Sequence, residues 1–95
     1  MKIPEKLKIG AFEWTIVLNP DLMHGRSERG CCRPKTSQID IDPGYNITGQ
    51  EETFVHEMLE AITAQYDITI EHKDLSNLAT VLHQVIKDNP EVFAQ

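Results

Sequence analysis

The sequence predicts an α+β fold, a small antiparallel sheet packed on two C-terminal helices, and three observations carry that reading. Apolar residues alternate with polar ones around residues 38–42 but recur at helical intervals beyond residue 48. Aromatic and β-branched residues crowd the N-terminal third, as in strands. Pro43-Gly44 and Asn89-Pro90 then punctuate the chain where one kind of element should end.

In LKIGAFEWTIVL, Leu7 to Leu18, residues of strand type flank Gly10, which predicts strands at Lys6–Ile9 and Glu13–Leu18 joined by a short turn. The next stretch, NPDLMHGRSERGCCRPK, is interrupted by Pro20, Gly25, Gly30 and Pro34 and reads as a loop, with a short strand near Cys31. In SQIDIDPG, Ile39 and Ile41 alternate with Gln38, Asp40 and Asp42, the pattern of a strand with one wet face. TGQEETFVHEMLEAITAQYD opens with Thr48 and Glu51 at capping-box spacing and carries Val55, Met58, Leu59, Ile62 and Tyr66 on one stripe, so a helix is expected over 48–66. A second helix over 72–88 follows from the stripe Leu75, Leu78, Leu82, Val85 and Ile86. The link DITIE is short, so the end of the first helix should lie near the start of the second. Strands and loop over 1–47 and the two helices make one domain over 1–95.

Ninety-five residues with a formal net charge of -6 bound the function. An acidic balance gives no reason to expect nucleic acid or an anionic membrane as partner, and only a cationic partner would be steered in. No apolar run is long enough for a signal peptide or a membrane span, so a cytoplasmic protein is expected. Cys31 and Cys32 are adjacent, which suits thiols better than a disulfide to each other.

The chemistry concentrates in VHEMLEAI. His56 and Glu60 are four residues apart, so a helix brings imidazole and carboxylate to one point above its surface. Glu57 lies on the same polar side, placed to act as general base on a water there. A His-Glu-x-x-Glu pentapeptide is common on solvated helix faces, and what raises it above that is His72 at the start of the next helix. His56, Glu60 and His72 would form a two-histidine, one-carboxylate set, the donor set of a catalytic zinc site with its fourth position open. His83 competes with His72, but it lies eleven residues further on, next to the apolar stripe, and fits a core or boundary histidine better. His24 with Cys31 and Cys32 is an alternative soft site, weakened by the lack of a C-x-x-C spacing.

With VHEMLEAI, LHQVIKDNP and this order of elements, the chain resembles the small zincin-like proteins encoded by phages and prophages, compact relatives of the gluzincin metallopeptidases. The likeness runs from about Lys8 to Glu91, and over the N-terminal third it is one of pattern alone. It implies one Zn²⁺ per chain, with His56 as first ligand and Glu57 as catalytic base. Gluzincins carry a histidine where Glu60 stands and a glutamate near His72's place, so the ligand types are conserved with their helices exchanged. The likeness further implies a sheet whose rim strand, here Gln38–Asp42, pairs with a peptide or protein substrate. For the oxyanion it leaves His83, Tyr66 and Arg33 as candidates. The alternative is a catalytically inactive phage accessory or interaction module that keeps the fold.

Overall fold

The computed structural model describes residues 1–22 and 29–93, and the described residues form four strands and three helices. Strands β1 (Lys6–Ile9) and β2 (Phe12–Leu18) form an antiparallel hairpin with Ile9 paired to Phe12. Between them Gly10 takes a φ of +57°, and a Cβ there would collide with the Tyr66 hydroxyl, so only glycine suits this two-residue turn.

The sheet is mixed rather than antiparallel. β3 (Gly30–Arg33) and β4 (Gln38–Ile41) form a second hairpin, and β4 inserts between β3 and β2, giving the order β1-β2-β4-β3. β4 runs parallel to β2 and antiparallel to β3. The expected rim strand is therefore an interior one, and its main chain is already paired on both sides. Among the described strands, β3 is the edge beside it.

Nor does β4 have a wet face. Ile39 and Ile41 are fully buried toward the helices, but Asp40 on the other face is only 1% exposed. Its Oδ2 accepts from Asn19 Nδ2 at 2.9 Å and Arg33 Nε at 3.1 Å, and its Oδ1 accepts from Gln38 Nε2 at 2.6 Å. Burial opposes ionisation, but these hydrogen bonds and the Arg33 charge outweigh it and hold the carboxyl below the usual range. A depressed folded pKa gives stability that is full above the unfolded value of about 3.9 and is lost as pH falls toward the folded one. Asp40→Asn should accordingly unfold at lower urea concentration than the parent at pH 7, with the gap closing below about pH 4. A gap independent of pH would remove the ionised carboxylate from the account.

Helix α1 (Ile47–Gln65) is capped by Asn46, whose side chain accepts from Gly49 N at 2.7 Å. The expected Thr48–Glu51 capping box does not form, because Glu51 turns inward to His83 at 2.9 Å. At the other end Asp67, at φ +54°, and the bond from Ile68 N to Thr63 O reverse the chain in a Schellman-type stop. Helix α2 (His72–Asp88) returns antiparallel to α1, as the Glu60–His72 and Glu51–His83 contacts at opposite ends require. A single-turn helix α3 (Pro90–Phe93) follows.

The core joins Ile9, Trp14, Ile16, Ile39 and Ile41 of the sheet to Phe54, Val55 and Ala61 of α1 and Ala79 of α2. Two residues of the expected stripes are exposed instead. Tyr66, at the α1 C-cap, is 55% exposed, and Leu78 is 48% exposed because α2 is rotated to turn Leu75, Ala79 and His83 inward. No helix is long and apolar enough to cross a membrane among the described residues.

Candidate metal centre

α1 presses Phe54, Val55 and Ala61 into the sheet, which leaves His56 and Glu60 on its flank facing the start of α2. Glu60 Oε1 lies 3.6 Å from His56 Nε2 and 3.6 Å from His72 Nδ1, so one carboxylate oxygen stands between the two imidazoles. The rings sit edge to face, 5.2 Å apart between centroids. One donor atom from each of His56, Glu60 and His72 falls within 4.8 Å of the others.

This donor set fits zinc. Donors on a tetrahedral ion with bonds of ~2.0–2.1 Å stand roughly 3.3–3.4 Å apart, so closing around an ion requires only small side-chain movements. His72 has room for them, with a side chain 75% exposed. His56 is also suited as a ligand. Burial, and to a lesser degree the neighbouring His72, lower its pKa against the pull of Glu60, which favours the neutral imidazole that a metal needs.

Glu57 is buried and its Oε2 is 4.0 Å from His56 Nε2, next to the donors but outside the group they form. Gly30 is what lets it sit there. A Cβ on Gly30 would stand 2.6 Å from Thr53 Cγ2 and 2.9 Å from Glu57 Cγ, so the edge strand lies flush on α1 only because that side chain is missing. Close approach of β3 also brings Cys32 beside the site. Its thiol is pushed up to about 12, by burial first and then by the Glu57 and Glu60 carboxylates and Cys31, and so stays protonated. His24 lies outside the described residues, and with it the alternative His24, Cys31 and Cys32 site.

A cleft of about 390 Å³ opens beside the donors, bounded by Arg29 and Gly30 on the sheet side and by Glu52, Thr53, Ser76 and Thr80 on the helices. The three expected oxyanion holders lie elsewhere. His83 is buried on Glu51, Arg33 pairs with Asp40, and Tyr66 is at the far end of α1. Among the described residues the arginine that lines the cleft is Arg29, whose guanidinium stacks 4.9 Å from the centre of the Tyr45 ring. Its neighbours in sequence carry no periodic signal, so nothing in the pattern marks it. Glu52, also in the cleft, does carry a signal, standing four residues before His56 on the same helix. Comparison of the chain with protein-family models, with curated proteins and with solved structures finds no match in any of the three.

Proposed function

We propose that the chain binds one zinc ion through His56, Glu60 and His72 and hydrolyses peptide bonds, with Glu57 as general base. The observation that carries this reading is the convergence of three donors from two helices within 4.8 Å. Zinc, when bound, would supply a Lewis acid that polarises the scissile carbonyl and acidifies water at the open position. Glu57, buried beside His56, would accept the proton from the attacking water and deliver it to the leaving amine. Arg29 carries a charge suited to the carbonyl oxygen as it becomes negative. β3, the edge strand of the described sheet that meets the cleft at Gly30, takes the place of β4 as the strand that would lie alongside an extended peptide. Placement in the cytoplasm rests on Cys31 and Cys32 both being thiols.

The engagement of His83 and Arg33 away from the cleft favours a second reading, an accessory module that holds metal without chemistry. Zinc analysis and turnover together separate the two. One zinc per chain with cleavage of peptides from a mixed library supports the peptidase. One zinc per chain with no cleavage supports the module, and no zinc uptake removes both.

A further inference from the structure

We infer that the groove between α1 and α2 is a side-chain subsite for lysine or arginine, with Glu52 as its counter-ion. This rests on the peptidase reading and adds a substrate class to it. Glu52 is four residues before His56 on α1, and Ser76 and Thr80 are four and eight residues after His72 on α2. Because the helices are antiparallel, these three side chains continue the same groove away from the zinc donors. Four residues rise ~6 Å along a helix axis, a distance that the aliphatic stem of a lysine covers. A residue held next to the scissile bond would thus bring its ammonium or guanidinium to Glu52.

The groove is shaped for such a side chain. Ala79, small and buried, leaves its floor open, and the cleft's volume of about 390 Å³ admits a long side chain together with main chain. The single proton of the Thr80 hydroxyl is within reach of both Glu52 Oε1 at 3.3 Å and the Ser76 carbonyl at 3.1 Å, which places the Glu52 carboxylate beside α2. Among the described residues no cation pairs with Glu52. Arg29 shares the cleft, but it is stacked on Tyr45 and makes no ion pair with Glu52. Asp40 and Asp42 are buried and engaged elsewhere, so among the described residues Glu52 is the acid that lines the cleft without being a zinc donor or the base.

The test is equilibrium binding of short fluorescent peptides, identical except for one Lys, Arg, Ala or Glu, to the zinc-loaded Glu57→Gln chain, which should bind without cleaving. Lys and Arg peptides should bind roughly tenfold more tightly than Ala peptides, and the difference should shrink with added salt. Glu52→Gln should abolish the preference and Glu52→Lys should turn it toward the Glu peptide. Peptides that bind without regard to charge, or a preference that survives Glu52→Gln, would overturn the inference and leave the peptidase standing. If no peptide binds and the parent chain cleaves none, the peptidase reading fails and this inference with it.

Discussion

Removing zinc should lower the melting temperature on the order of 15–30 °C, and His56→Ala or His72→Ala should make the melting curve indifferent to chelator. The metal would tie α1 to His72, the exposed first residue of α2, and so pin that helix ahead of its buried residues Leu75, Ala79 and His83. Linkage sets the size. Free zinc at a thousand times its dissociation constant stabilises the folded chain by about 4 kcal/mol, and in a domain this small each kcal/mol moves the midpoint by roughly 4–8 °C. Loss of either histidine leaves two donors, and two donors do not retain zinc against a chelator. Glu60→Ala belongs with the histidine variants, because its Oε1 is the atom shared between both rings. A Glu60→Ala chain that takes up zinc as the parent does would mark Glu60 as an ordinary solvated carboxylate and dismantle the site. Calorimetry with and without chelator, together with elemental analysis, reads both effects.

The convergence of His56, Glu60 and His72 was legible in the sequence because it depends on local geometry. His56 and Glu60 are one helical turn apart, and the five residues of DITIE bring His72 back to the end of α1. Sheet order was not legible, because alternation identifies a strand and says nothing of its neighbours. Ile39 and Ile41 therefore announced β4 without announcing its parallel pairing to β2. Polarity was misread as exposure for a related reason. Asp40 finds its partners 21 residues back at Asn19 and 7 residues back at Arg33, and only tertiary structure assembles them. Likewise Glu51 at capping-box spacing was claimed by His83, 32 residues away, and Asn46 became the cap instead.

Glu57→Gln should keep its zinc and lose ~10²–10⁴-fold in rate, the opposite of what the ligand variants do. The separation follows from where the two carboxylates of α1 sit. Glu60 lies between the imidazoles, whereas Glu57 is one residue beyond His56, buried under the Gly30 edge and outside the donor group. Glutamine preserves the shape of that contact and a hydrogen-bonding oxygen, so uptake of zinc and the chelator-dependent melting shift should both persist. What it lacks is a basic oxygen, and a peptide bond cannot be hydrolysed at this site unless some group takes the proton from water. Cys32, a described titratable side chain beside the site, has its thiol pushed up to about 12 by burial and then by the Glu57 and Glu60 carboxylates and Cys31, and is no substitute. Single-turnover cleavage by zinc-matched parent and variant measures the difference. Equal turnover by both would show that Glu57 is not the base, and equal inertness on a broad peptide library would leave the chain a metal-binding module.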